Sequence, residues 1–272
     1  MPALPFFQVD AFASKSLEGN QACVMPLDAF LPDETLLAIA AENNVAETAF
    51  IVPATEGIWK LRWFTPAVEV PLCGHATLAA AHVLFNHAGY EGSGVAFDTV
   101  KSGRLFVKRL VDDRLEMDFP SAPIKPVPVT DDIAAALGAR PVEAWGGMFY
   151  AARFETPEEV KALAPDHRAL KTLGAAGGGW DRGNFGCFAL GGDGAGATSR
   201  FFAPGSGIDE DPATGSWHTM LARVLAENFG APAARCYQAY PGRGAWIDVR
   251  LDGDRCKLTG KAVTVIEGQF RL

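Results

Sequence analysis

Apolar residues recur along this chain with two periods, and the periods predict its elements. Short strand-like runs, Leu61–Phe64 and Ser199–Phe202, each lead through a Pro/Gly turn into a long helical stretch. The first, His75 to about His87, carries Leu78, Ala79, Ala80, Ala81, Val83, Leu84 and Phe85. It is apolar nearly all round, which predicts an enclosed helix. The second, Ser216 to Phe229, is similar but sets Arg223 and Glu227 at i, i+4, a pair suited to one wetter face. After each helix come alternating segments, Leu105–Leu110 and Ala245–Leu251, bounded by Asp/Gly turns. Asp33–Asn43 reads as a further helix. It runs into an apolar strand-like stretch, Asn44–Val52, where Glu47 shares a face with Val45, Ala49 and Ile51. The tail Ala262–Leu272 alternates at Val263 and Val265 and is expected to pair back on the first half.

The two halves echo each other. Arg62–Pro66 (RWFTP) resembles Arg200–Pro204 (RFFAP) at a shift of 138 residues, from 62 to 200, and three extra residues then lengthen the second copy. From there a shift of 141, from 73 to 214, relates Cys73-Gly74-His75 to Thr214-Gly215-Ser216. The same shift relates Val83-Leu84 to Val224-Leu225, Gly89 to Gly230 and Arg109-Leu110 to Arg250-Leu251. A register held over that length predicts an internal duplication, an α+β domain made twice with short strands around one buried helix in each copy. Between the copies, Phe119–Pro128 carries four prolines, which remove N–H donors and stiffen the segment toward an extended linker. The expected organisation is a first domain over 1–119, a linker over 120–128 and a second domain over 129–261, with 262–272 returning to the first.

Composition narrows the setting. The chain has 272 residues, 49% of them apolar, which excludes disorder. A net charge of −8 without a basic stripe argues against a nucleic-acid partner. No stretch approaches the ~18 consecutive apolar residues of a bilayer span, and the start lacks the basic flank of a secretion signal. The five cysteines are odd in number, widely spaced and free of CxxC pairs, which suits reduced thiols. A cytoplasmic protein without membrane or nucleic-acid partners is expected.

Chemistry is expected at the duplicated helix starts. Leu72–Thr77 and Glu210–Ser216 each put glycine and a small polar residue where the first N–H groups lack partners and the helix dipole is positive. Two such ends facing each other across a domain cleft would bind an anion, most simply a carboxylate. The plainer alternative is ordinary capping by Thr214 or Ser216; repetition at equivalent positions favours the anion site. Glu47, among apolar neighbours, is expected to lose hydration, and a carboxyl with a raised pKa suits proton transfer near neutral pH. From this segment alone, a strand-end glutamate turned to solvent is the preferred reading. Gly192–Gly196 lies between strand-like runs and reads as a turn. His75 and His82, seven apart on one helix without a carboxylate partner, make only a weak metal signal, and no metal is expected.

Gly19–Val24 (GNQACV), Glu47–Phe50 (ETAF), Leu72–Thr77 (LCGHAT) and Glu210–Ser216 (EDPATGS) resemble the marker motifs of the PhzF-like phenazine biosynthesis family, in family order and over nearly the whole chain. The resemblance implies an α+β fold of the diaminopimelate epimerase-like type. In it, two pseudo-symmetric domains each curl a mostly antiparallel sheet or barrel around a central helix. For the enzyme that names the family, it implies isomerisation of a dihydro-hydroxyanthranilate without cofactor or metal, by a glutamate that moves a proton between ring carbons. Carried over by motif, Glu47 would be the acid/base, with His75 and Asp211 assisting proton transfer and holding substrate. Gly74, Thr214, Gly215 and Ser216 would receive its carboxylate, and Asn20 would line the cleft. A homodimer is implied as well. Related racemases use one cysteine from each half. Here Cys73 matches Thr214, which supplies no thiolate at neutral pH, so a two-thiol mechanism is not expected; Cys73 is expected to pack, with action alone as an acid the alternative. The expected function is that of a cofactor-independent isomerase or epimerase acting on a small carboxylated metabolite in the interdomain cleft. A non-catalytic carboxylate-binding or protein-interaction member of the fold and a hydroxy-acid dehydratase are the alternatives.

Overall fold

The two long apolar stretches form the two longest helices in a computed structural model of the chain, which describes residues 3–55, 57–174, 180 and 183–272. The fold is mixed α+β, mostly sheet with few helices, and the sheet is not closed into a barrel. The chain divides into two compact units, Met1–Asp118 with Thr259–Leu272, and Phe119–Leu258.

The first unit comprises β1 (Ala3–Ala11), β2 (Asn20–Pro26), α1 (Asp33–Asn43), β3 (Glu47–Thr55), β4 (Ile58–Phe64), β5 (Glu69–Val70), α2 (Gly74–Asn86), β6 (Gly94–Thr99), β7 (Arg104–Arg109) and most of β8 (Leu115–Pro120). Its pairings run β1–β2 antiparallel, β2–β3 parallel, β3–β4 antiparallel, β4–β6 parallel and β6–β7 antiparallel. The last strand of the chain, Ala262–Arg271, pairs antiparallel with the whole of β1. Helix α2 is enclosed, as its all-round apolar pattern predicts: from His75 to Phe85 every residue but His82 is buried. Helix α1 covers the opposite side of β3, where Phe50 and Val52 join Leu36, Ile39 and Met25 in one core cluster. Strand β3 is therefore buried on both faces. Helix α1 ends at Asn44, in a left-handed conformation (φ 49°) that asparagine tolerates, and β3 begins three residues on at Glu47.

The second unit contains β9 (Lys125–Pro126), α3 (Asp131–Leu137), β10 (Glu143–Gly146), β11 (Tyr150–Arg153), α4 (Pro157–Ala162), α5 (His167–Thr172), β12 (Phe185–Leu190), β13 (Ala197–Phe202), α6 (Gly215–Phe229), β14 (Ala233–Gln238), β15 (Ala245–Asp252) and most of β16 (Arg255–Gly260); the strand that returns to the first unit is then β17. From β10 to β15 the pairings run antiparallel, parallel, antiparallel, parallel, antiparallel, the same order as from β1 to β7. Arg223 and Glu227 meet at 2.8 Å on the wetter face of α6. All five cysteines are buried, and none forms a disulfide among the described residues.

The proline-rich segment is not a free linker. Phe119 and Pro120 end β8, while Lys125 and Pro126 pair with Gly146 and Trp145 of β10. Ser121 donates its N–H to the Asp254 carbonyl and its hydroxyl to the Thr219 carbonyl at 2.8 Å. Prolines lack only the donor, so a short edge strand accommodates them. No described helix is long and apolar enough to cross a membrane.

Candidate active site

Strands β2 and β3 lie side by side in parallel, with Ala22 opposite Glu47, so Asn20 and Glu47 start neighbouring strands at one end of the sheet. The first turn of α2 meets them there, with Cys73 at the N-cap, then Gly74 and His75. The His75 ring is the centre. Its Nε2 lies 3.1 Å from Glu47 Oε2, off the line of an ideal hydrogen bond. Its Nδ1 lies 3.2 Å from the Asn20 amide nitrogen and 3.5 Å from Cys73 Sγ. Asn20, Cys73 and His75 are buried, whereas the Glu47 side chain keeps 18% of its surface exposed. Glu47 is thus the member that opens to solvent.

Burial opposes charge on all three titratable groups, and they respond differently. Burial, with the neighbouring Glu47 charge, pushes the Cys73 thiol up to about 11, so it stays S–H at neutral pH. Burial would also lift Glu47, but the His75 charge and the close polar contacts of His75 and Cys73 outweigh it and hold the carboxyl below its ordinary 4.5. For His75, burial works downward, yet Cys73 and Glu47 raise its pKa well above 6.5. With Cys73 neutral, Glu47 is the charged partner that sustains this shift. The result is a carboxylate–imidazolium pair beside a neutral thiol. The expected rise in the Glu47 pKa is therefore reversed, and the carboxyl, though partly exposed, faces His75 rather than solvent alone. The cause is His75, which no sequence spacing places beside it. Cys73, expected to pack, contacts both members of the pair.

Asn20 can follow the state of the ring. An imidazolium carries a proton on each nitrogen, so the amide then presents its oxygen to Nδ1; toward a neutral ring, the amide nitrogen donates instead.

Asp211, Thr214, Gly215 and Ser216 gather at the start of α6 in the second unit. Thr214 occupies the N-cap, yet neither it nor Cys73 makes a side-chain cap hydrogen bond, so the ordinary-capping alternative fails at both helices. The Thr214 hydroxyl instead donates to Asp211 Oδ2. The Thr214 N–H donates to Gln238 Oε1 at 2.9 Å, and Gln238 Nε2 donates to the Asp211 carbonyl at 2.6 Å and to Thr214 Oγ1 at 3.2 Å. Gln238, fully buried at the end of β14, holds this loop, and nothing in the local sequence marks it. His218 donates from Nδ1 to the Thr214 carbonyl at 2.8 Å; burial pushes its pKa down to about 4, which leaves it neutral. At the matching place in α2, the Thr77 hydroxyl donates to the Cys73 carbonyl.

The repeated Arg and Glu positions clamp the loops before both helices. Arg62 grips Glu69 through two hydrogen bonds of 2.7 and 2.8 Å, and Arg200 grips Glu210 through two of 2.8 and 2.7 Å. Each guanidinium also lies over an aromatic ring two residues on, Phe64 at 5.0 Å and Phe202 at 4.8 Å. The site residues thus form two sets: Asn20, Glu47, Gly74 and His75 in the first unit, and Asp211, Thr214, Gly215 and Ser216 in the second.

The family profile described as "Phenazine biosynthesis-like protein" matches residues 9–268. The chain belongs to this PhzF-like family. Among curated relatives, an uncharacterized isomerase of Pseudomonas aeruginosa is 43% identical over 270 residues, covering 99% of each chain. A crystal structure of a PhzF-family phenazine biosynthesis protein from Enterococcus faecalis superposes with a TM-score of 0.92 at 34% identity, covering 100% of both chains. A probable proline racemase from Agrobacterium radiobacter shares the fold alone, with a TM-score of 0.59 at 11% identity over 99% of this chain and 93% of its own. Several curated PhzF-like relatives are named isomerases, and the chain is an isomerase of that class.

Proposed function

We propose that this PhzF-like isomerase moves a proton at carbon of a small carboxylated substrate, with Glu47 as acid/base and His75 as its partner. The observation that carries this reading is the buried contact of 3.1 Å between Glu47 Oε2 and His75 Nε2, with Asn20 holding the other ring nitrogen. The Glu47 carboxylate takes a proton from a substrate C–H, and the released electron pair spreads into the adjoining unsaturated or carboxyl group. The protonated Glu47 then returns the proton to another carbon or to the opposite face. Paired with an imidazolium, Glu47 is a weak base. A substrate carboxylate that draws the His75 charge to itself raises the Glu47 pKa, so binding itself arms the base. The uncapped N–H groups at the start of α2 supply further donors for that carboxylate, and the start of α6 offers the same in its own unit. The shared order of pairings and the paired Arg–Glu clamps support descent of the two units from one duplicated unit.

The test is solvent deuterium exchange. Small carboxylic acids that raise the melting temperature are incubated with the protein in D2O, and incorporation at carbon is followed by NMR. Exchange into at least one of them is expected with the wild type and is lost with Glu47→Gln. Exchange that persists unchanged in that variant overturns the assignment of Glu47. Binding without exchange in every case would instead indicate a carboxylate-binding member of the fold, and product identification separates isomerisation from dehydration.

A further inference from the structure

Glu47, Cys73 and His75 offer a carboxylate oxygen, a sulfur and an imidazole nitrogen, and one donor atom of each lies within 4.8 Å of the other two. We propose that these three side chains form a binding site for a thiophilic divalent cation, with zinc as the type, and that the ion takes the acid/base pair out of use while it is bound.

The donor set selects the ion. Magnesium and calcium are hard cations that take oxygen ligands in shells of about six or more. One sulfur, one nitrogen and one oxygen from protein suit a tetrahedral ion with a fourth position open. The spacing suits it too. His75 Nε2 and Glu47 Oε2 are 3.1 Å apart, close to the ~3.3 Å edge expected between two donors on a tetrahedral ion with ~2.0 Å bonds. Cys73 Sγ stands 3.5 Å from the other ring nitrogen, and the three donor groups lie within 4.8 Å of one another, so closing the cage requires the thiol to turn toward the carboxylate. Asn20 lies against Nδ1 at 3.2 Å, the position of the outer hydrogen bond that fixes the ring of a metal-bound histidine. Cys73 and His75 are buried while Glu47 is partly exposed, so an ion enters along Glu47 and keeps water or an anion as its fourth ligand.

The sequence concealed this set. Cys73 and His75 alone make half a site, and the third ligand comes from the start of a different element. The inhibitory consequence rests on the proposed function, since the ion would use the Nε2 lone pair and the carboxylate that proton transfer needs. Binding itself rests on geometry alone.

The experiment titrates the EDTA-treated protein with cobalt(II). Stoichiometric binding is expected to produce a thiolate-to-cobalt charge-transfer band in the near ultraviolet with the intense visible bands of a tetrahedral ion, and added zinc should bleach both. Cys73→Ser should lose the charge-transfer band and weaken zinc binding at least about tenfold by calorimetry. Glu47→Gln, altered at the most exposed ligand, should keep the thiolate band but bind more weakly; thermal melts check that both variants fold. A wild type without the band, or a band that survives in Cys73→Ser, overturns the proposal. Absorbance reports this result, so its failure leaves the deuterium-exchange test intact, and failure of that test leaves this one intact.

Discussion

At the scale of single residues, the decisive quantity is the charge shared by Glu47 and His75. The raised pKa of His75 means its contribution to stability is complete below its ordinary 6.5 and is lost as pH rises through the raised value. The lowered pKa of Glu47 means its contribution is complete above its ordinary 4.5 and is lost as pH falls through the lowered value. Both operate fully between pH 4.5 and 6.5. Urea melts of wild type and Glu47→Gln across pH should therefore differ most in that window and less on either side. A difference that does not vary with pH would mean the pair carries no charge. His75→Asn removes the cation that holds Glu47 down, so the acidic limb of the exchange profile should move to higher pH while the rate falls by about 10²–10⁴. The motifs marked Glu47 and His75 separately as candidates. Their contact was not legible, because it depends on a helix start landing at the end of a parallel strand pair.

At the scale of elements, the loops before α2 and α6 are held by the same device with different exposure. Arg200 is almost fully covered, its partner Glu210 keeps 11% exposure, and its guanidinium also donates to the carbonyls of Lys161 and Leu163. Arg200→Ala strands a buried carboxylate and should cost about 3–5 kcal/mol in urea unfolding. Arg62→Ala should cost clearly less, because Glu69 and Asp33, at 26% and 77% exposure, regain water when the guanidinium is removed. Equal losses would show that the two clamps are energetically alike and that burial does not decide between them. Gln238→Ala leaves the Thr214 N–H and the Asp211 carbonyl without their partner. It should cost about 1–3 kcal/mol and speed hydrogen exchange at Thr214. The repeat exposed Arg62 and Arg200 as equivalent positions, and periodicity predicted α2 and α6 to within a residue at their starts. Gln238 escaped because a single strand-end glutamine has no periodic signature; only its burial beside Thr214 reveals its role.

At the scale of the whole molecule, the first unit is completed by the end of the chain. Strand β17 pairs with β1 along its length, and Phe270 packs with Leu4 and Phe6 against the core cluster beneath α1. Deleting residues 262–272 removes both the ladder and that apolar contact. Amides of β1 and β2 should then lose hydrogen-exchange protection, while those of β12 and β13 in the second unit keep theirs. Protection retained in β1 would mean that its pairing with β2 suffices. The expected boundary after residue 119 falls within one residue of the division at Asp118, but the segment 120–128, expected from its proline content to be a linker, pairs within the second unit. Serine and carbonyl groups in that segment found partners within the second unit, and proline's missing donor did not prevent this.

Local information therefore determined much of this protein. Apolar periodicity set the three longest helices and six of the strands, since burial of a repeating face depends on spacing within one element. The repeat in the chain paired the two helix starts, and the family motifs named Asn20, Glu47, His75 and Asp211. Tertiary structure alone decided the charge of Glu47, the place of Cys73 beside it and the grip of Gln238 on the second helix start. Those features are set by distances between groups far apart in the chain, and electrostatic energy depends on distance in space and on the water excluded around it, neither of which a linear spacing records.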